Sequence, residues 1–276
     1  GRTEAVFSYP MFRDLEKAQT AFTGIAAHRI FSANLSYRRQ TLNGEGMFVS
    51  GSYFPVLGLQ PALGRLIGPA DDKAPGESPV VVLSHTYWRI HFAASPSVLN
   101  DAIVVNGQTM TIIGVAPRDF NGTTLGSMPK VFAPITMRGL LGNRNPAFDD
   151  RRNYWAYLFA RLKPGVSIEQ ARQGINVPYL GILNDVEVPL QKGMSDQTLA
   201  KFRVKQVTVE EGRRGQSNIH REAKVPLILL LGVTGFVLLI ACANIANLLL
   251  ARGATRAAEM AVRLSIGASR WQLVRQ

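Results

Sequence analysis

The chain has 276 residues, 46% of them hydrophobic and 18% charged, with 31 Lys and Arg against 19 Asp and Glu for a formal net charge of +12. That is more apolar than an ordinary soluble domain and far less so than a polytopic membrane protein, so most of the chain is expected to sit in water beside a limited membrane segment. The basic residues are scattered in pairs such as Arg38 with Arg39 and Arg213 with Arg214; with no basic helix, zinc-finger spacing or aromatic RNA-binding motif, they argue against nucleic acid as a partner. The single cysteine, Cys242, supports neither a disulfide nor a metal site.

In chain order, Met11, Leu15, Ala18 and Phe22 fall at helical spacing behind Pro10, predicting a helix over 10–22 that Gly24 ends. Between 25 and 49, short apolar runs broken at 32–34, 38–40 and 43–46 read as strands joined by turns. A loop rich in Pro, Gly and acids over 68–79 follows, where Asp71 and Asp72 read as solvated turn residues. Residues 80–83 form a buried-strand candidate, and Ser84 can cap a helix over 86–93. Strands over 102–115 flank Asn106-Gly107, a dipeptide that tolerates the positive φ of a type I′ turn, so this is a predicted hairpin. A further strand is expected at 131–135 and a loop over 139–150. Residues 154–209 read as strand, helix, strand: a strand to Leu162, a helix opened by the Ser167/Gln170 capping box and ended or kinked by Pro178, and a second strand over 202–209.

Residues 227–251 contain no charged side chain. As a helix they extend about 37 Å against a hydrocarbon core of about 30 Å, enough to cross with some tilt. A segment placed so late is no signal peptide. Asn244 and Asn247 lie three residues apart on this span, and polar side chains in hydrocarbon usually turn toward another helix. Five arginines and one glutamate follow over 252–276, and basic residues beside the span are suited to anionic headgroups. There Glu259 and Arg263 share a helical face in the favourable acid-first order, with Met260 and Leu264 as an adjoining apolar stripe. Gly267 suits a left-handed helix end, and Ser269 with Gln272 opens a new helix. The expected result is a short amphipathic helix over 259–269, shaped to dock on a cytoplasmic partner.

Catalytic motifs are missing. There is no Gly-x-x-x-x-Gly-Lys phosphate loop and no Gly-x-Ser-x-Gly elbow. His28, His85, His91 and His220 have no metal-ligand spacing. No cofactor is expected, and no enzyme activity in this chain.

The segment from LIACANIANLLLARGATRAAEMAVRLSIGAS to the C-terminal Gln276 resembles the first part of the FtsX-like permease domain. Upstream, Ser8-Tyr9-Pro10, the 49–54 run with Leu57-Gly58, Gly64-Arg65, Val82-Leu83-Ser84 with Tyr87-Trp88, and Val105-Asn106-Gly107 through Ile113-Gly114-Val115 resemble the periplasmic core domain of MacB-type ABC transporters. The wording is closest to the acidobacterial duplicated orphan permease subgroup. The resemblance implies an α+β fold: a two-lobed mixed α/β periplasmic domain over 1–210, a connector over 211–224, a transmembrane helix over 225–252, and a cytoplasmic coupling segment over 253–276. It also implies further transmembrane helices before and after, making this chain a piece of a longer protein. Function would be that of a permease subunit in the bacterial inner membrane, coupling a cytoplasmic ABC-type ATPase to movement of the periplasmic domain for efflux or mechanotransmission, as a dimer of permeases. Glu259, Met260, Arg263, Leu264, Gly267 and Ser269 would transmit the ATPase movement, with Ala257 and Ala258 standing where the family often has charges. The alternative is a single-span anchored sensor or binding module.

Overall fold

A computed structural model describes residues 6–142, 147–213, 215–216 and 219–266. Its residues divide into two compact units, 1–216 and 217–276.

The first unit is organised by one long strand. Phe31, Ala33 and Leu35 are buried while Ser32 and Asn34 are exposed, a period-two pattern that carries the strand β2 unbroken over Phe22–Tyr37. The expected turn at 32–34 is therefore the outward face of a strand. Arg38 and Arg39, both at positive φ, do make a turn, and β3 (Gln40–Val49) returns antiparallel through Asn43, Gly44, Glu45 and Gly46, with no break there. Gly46 makes room for Phe31, whose ring would lie 2.4 Å from an added Cβ and which stacks on Phe48.

The remaining strands are β1 (Val6–Phe7), β4 (Leu63–Gly64), β5 (Val80–Leu83), β6 (Ala102–Val105), β7 (Gln108–Val115), β8 (Val131–Pro134) and β9 (Ala156–Leu162). They join one nine-stranded sheet in the order β1-β9-β2-β3-β8-β5-β7-β4, and β6 pairs with both β2 and β7. That double pairing closes β2, β3, β8, β5, β7 and β6 into a ring. β3 with β8 and β5 with β7 are parallel; the other pairs are antiparallel. The N-terminal half of β2 leaves the ring and pairs with β9. The strand-rich part and the part built with helices thus share β2.

Alternation assigns the side chains to two cores. Phe48, Val81, Leu83, Val131 and Ala133 enter one cluster, and their neighbours Met47, Val49, Val82 and Phe132 enter the other. The predicted hairpin is present as β6 and β7, with Asn106 at φ +48° and Gly107 at φ +84°.

The helices are α1 (Tyr9–Ala18), α2 (Tyr53–Leu57), α3 (His85–His91), α4 (Arg138–Leu141), α5 (Ile168–Ile182) and α6 (Asp196–Arg203). Ser8 caps α1 and Ser84 caps α3, each hydroxyl accepting an amide three residues on. α1 ends at Ala18, so Phe22, expected in a helix over 10–22, and Gly24, expected to end it, both belong to β2. The capping box of Ser167 and Gln170 opens α5 as expected, but the helix continues past Pro178 to Ile182 and then into a wider turn over Leu183–Glu187. α4 occupies the start of the expected 139–150 loop.

The expected strand over 202–209 does not form. Phe202 lies in α6, and Val207, in no regular element, has Asn176 of α5 as its partner: the Val207 amide donates to Asn176 Oδ1 at 2.7 Å, and Asn176 Nδ2 donates to the Val207 carbonyl at 3.0 Å. A single side chain makes both bonds that a neighbouring strand would have made.

Candidate functional site: a polar lattice in the domain and an unsheathed helix

The run 49–54 is held by small polar groups. Ser50 Oγ accepts the Ala27 amide at 3.0 Å, Ser52 Oγ donates to the Ile25 carbonyl at 2.8 Å, and the Gly51 amide donates to Asp72 Oδ2 at 2.8 Å. A Cβ on Gly51 would lie 2.6 Å from Pro69 Cα, so the acidic loop closes over this position only because it is glycine. Tyr53 and Phe54 then enter the second core.

Asp71 and Asp72 are not solvated turn residues; both are buried. Asp72 takes Arg13 Nη2 at 2.6 Å. Burial raises its carboxyl above the ordinary range against the lowering effect of Arg13, and among the described residues Oδ1 has no partner. Asp71 receives both Arg65 Nη atoms at 2.7 and 2.8 Å and the Gly68 amide at 2.9 Å. Burial pushes its carboxyl up, yet the fork and the amide outweigh it, and the net shift is downward. Arg13 and Asp72 also line a cleft of about 410 Å³ together with Tyr9 and Phe148; the Arg13 donors are already engaged by Tyr9, Glu16 and Asp72. Asp149 and Asp150 are exposed, as read from their loop. Composition alone hid the aspartate pairs, although Gly64-Arg65 six residues before Asp71 was a usable signal.

Among the described residues no group of three or more His, Cys, Asp or Glu can hold a metal ion. His28 is a core residue, 2% exposed; His85 and His91 are the first and last residues of α3, and His220 has no described side chain.

In the second unit the described residues form one helix, α7 (Ile219–Ser265), 47 residues long. Its Pro226–Arg263 stretch has mean hydropathy 2.6 at its most apolar and is long and apolar enough to cross a membrane. The whole helix measures about 70 Å, more than twice a hydrocarbon core. Polar hydroxyls in it are satisfied locally: Thr234 Oγ1 donates to the Leu230 carbonyl, and Thr255 Oγ1 to that of Ala251. Asn244 and Asn247 are exposed on the helix surface.

α7 also corrects the expectation of a separate short helix after the span. No break occurs between Ala251 and Glu259; the last 14 residues of α7 carry the same helix about 21 Å beyond the apolar stretch. Arg263 Nη2 meets Glu259 Oε1 at 2.5 Å, the predicted pair, and Met260 is exposed beside it. Arg252, Arg256, Glu259 and Arg263 recur at intervals of four, three and four residues, which places them on one exposed face. The Leu264 side chain, Gly267 and Ser269 lie outside the described residues.

Together these features define a class: a mixed α/β domain joined in sequence to a helix fit to span a bilayer. The sequence model described as the MacB-like periplasmic core domain matches residues 1–176. The chain therefore belongs to the MacB-like periplasmic core domain family, a component of MacB/FtsX-like ABC transporter permeases. No curated protein matches it. Among solved structures it is similar to the periplasmic region of MacB from Actinobacillus actinomycetemcomitans, at 16% identity over 66% of this chain and 76% of that one, with a TM-score of 0.49. It is similar also to the extracellular domain of the noncanonic ABC-type transporter YknZ from Gram-positive bacteria (16% identity, 67% and 86% covered, TM-score 0.48). A domain of a Porphyromonas gingivalis protein described as a permease is a third (13% identity, 75% and 84% covered, TM-score 0.48).

Proposed function

We propose that this chain is the permease part of an ATP-driven system in the bacterial inner membrane, in which a cytoplasmic ABC-type ATPase moves the periplasmic domain through α7, for efflux or mechanotransmission. The observation that carries the reading is the unbroken continuation of α7 from its apolar stretch into the Arg252, Arg256, Glu259, Arg263 face. A rigid helix that emerges from the bilayer with a charged face is a lever whose position a partner can bias, and a two-state helix arrangement needs no covalent chemistry in the chain itself.

Pairing with further helices, including those of a second permease, is supported by the small residues of α7. Gly232 and Gly235 each cost about 1 kcal/mol of helix propensity, and a Cβ on either would meet nothing within 4 Å. No contact inside the described chain calls for glycine there, whereas close helix approach in lipid does. Asn244 and Asn247 would supply interhelical hydrogen bonds in the same packing.

The test is co-purification of the intact protein, in detergent, with a nucleotide-hydrolysing subunit. Glu259→Ala with Arg263→Ala should reduce the associated ATPase several-fold while membrane insertion is unchanged. Full association and undiminished nucleotide-dependent response in the double variant would remove the coupling role and leave a membrane-anchored binding module.

A further inference from the structure

The last described residues of the folded domain are tied down by a compact set of hydrogen bonds. The Gly215 amide donates to the Gly212 carbonyl at 2.9 Å, and Gly215 sits at φ +71°. A Cβ there would lie 2.8 Å from the Thr123 carbonyl oxygen, so the approach of the two backbones depends on glycine. Gln216 then forms an isolated parallel bridge with Thr124. Its amide donates to the Thr123 carbonyl at 2.7 Å, and its carbonyl accepts the Leu125 amide at 2.8 Å. The side chains repeat the contact, with Thr124 Oγ1 donating to Gln216 Oε1 at 3.3 Å.

The loop that receives Gln216 is itself anchored in the core. Thr124 Oγ1 also lies 3.2 Å from His28 Nε2, and with its own proton directed to Gln216 it can accept an Nε2–H. Among the described residues His28 Nδ1 has no hydrogen-bond partner. The ring is packed among Tyr53, Tyr157 and Phe159; hydrogen bonding to Gln216 favours its protonated form, while the Arg29 charge disfavours it. Burial holds its pKa down at about 4, so near neutral pH it stays uncharged. Thr123 shares a second bond, at 2.9 Å, with the hydroxyl of fully buried Tyr53. His28 belongs to β2, the strand common to both parts of the sheet, and Tyr53 opens α2.

In sequence, Gln216 precedes the first residue of α7, Ile219, by three positions. We infer that the Gln216–Thr124 bridge, backed by His28 and Tyr53, is a closed clamp through which displacement of α7 enters the periplasmic domain at β2. The inference rests on the proposal that α7 moves with an ATPase partner, and it names the joint that carries the motion. A connector without such a joint would absorb the displacement as slack before the domain felt it.

The experiment is hydrogen exchange followed by mass spectrometry on the intact protein in nanodiscs with its ATPase, with and without ATP. Two variants are compared with the wild type. Gln216→Pro removes the amide bonded to Thr123; Thr124→Cys with Gln216→Cys, in a Cys242→Ala background, locks the bridge when oxidised. Loss of the bridge should speed exchange at Leu125 by roughly 30-fold, the combined effect of two or three ordinary hydrogen bonds. Baseline protection of β2 and β3 should be unchanged, showing that the domain remains folded. The expected result is a nucleotide-dependent change in β2 and β3 that falls at least tenfold in Gln216→Pro, persists in the oxidised double-cysteine protein, and is matched by an undiminished change in α7. Persistence of the β2 and β3 response in Gln216→Pro would overturn the clamp, as would its loss on oxidation, which would mean the joint has to open. No nucleotide response in α7 of the wild type would instead defeat the coupling reading, and the clamp with it.

Discussion

The Asp72 site supplies a prediction whose size follows from its contacts. Replacing Asp72 with Ala leaves the Arg13 guanidinium, 24% exposed, without the oxygen it holds at 2.6 Å, and leaves the Gly51 amide without its acceptor at 2.8 Å. A hydrogen bond to a charged group contributes about 1.5–3 kcal/mol, and an orphaned buried amide costs about 1–3 kcal/mol. Desolvation already opposes the Asp72 charge, and among the described residues Oδ1 is unpaired, so the sum should fall toward the middle of that range, about 3–4 kcal/mol. Asp72→Asn keeps a carbonyl oxygen for Gly51 and loses only the charge assistance, so about 1–2 kcal/mol is expected. At about 2–4 °C per kcal/mol for a domain of this size, the melting temperature should drop by roughly 6–16 °C for Ala and by less than half of that for Asn. The assay is thermal and urea unfolding of the chain in detergent, followed by the fluorescence of Trp88 and Trp155. An Ala variant within about 1 kcal/mol of wild type, or an Asn variant as damaged as Ala, would show that the Gly51 amide is not what Asp72 holds.

Further outcomes follow from single contacts. Because Asp71 has its carboxyl lowered in the folded state, its contribution is present above the unfolded carboxylate pKa of about 4 and lost as pH falls through the folded value; the melting-temperature gap between wild type and Asp71→Asn should be widest near neutral pH and close below about pH 4. A gap that widens in acid would contradict the Arg65 fork. Asn106 combines φ +48° with bonds from the Asn34 amide at 2.6 Å and to the Ser32 carbonyl at 3.0 Å. Asn106→Ala should cost about 2–4 kcal/mol in urea unfolding, and Asn106→Gly about 1–2, because glycine restores the turn but not the bonds. Equal costs would mean that the turn geometry is irrelevant.

How much of this was legible depended on whether a signal was local. Ser84, the Ser167/Gln170 box and Asn106-Gly107 announce themselves because each acts on backbone groups within three residues, and all three stand where the sequence put them. β2 was divided in the reading because Ser32 and Asn34 have turn-like composition; their alternation with Phe31, Ala33 and Leu35 was the better guide. The 202–209 segment was read as a strand, and Val207 is hydrogen-bonded like one, but to the Asn176 side chain. No pattern within 202–209 reveals a partner on another helix. Asp72 was misplaced for the same reason, since Arg13 is 59 residues away, whereas the partners of Asp71, Arg65 and Gly68, lie within six residues and were open to a local reading. In α7 the apolar stretch was plain from the lack of charge. Its continuation through Arg252 was not, because a charged boundary marks where lipid ends and says nothing about where helical hydrogen bonding ends.

The central claim, that the folded domain and the charged end of α7 lie on opposite sides of a membrane, is tested most directly by cysteine labelling in whole cells. In a Cys242→Ala background, a membrane-impermeant maleimide should label Glu77→Cys, exposed on the domain, once the outer envelope is opened. It should leave Arg256→Cys unlabelled until the inner membrane is permeabilised. Equal labelling of both positions before permeabilisation would contradict the account.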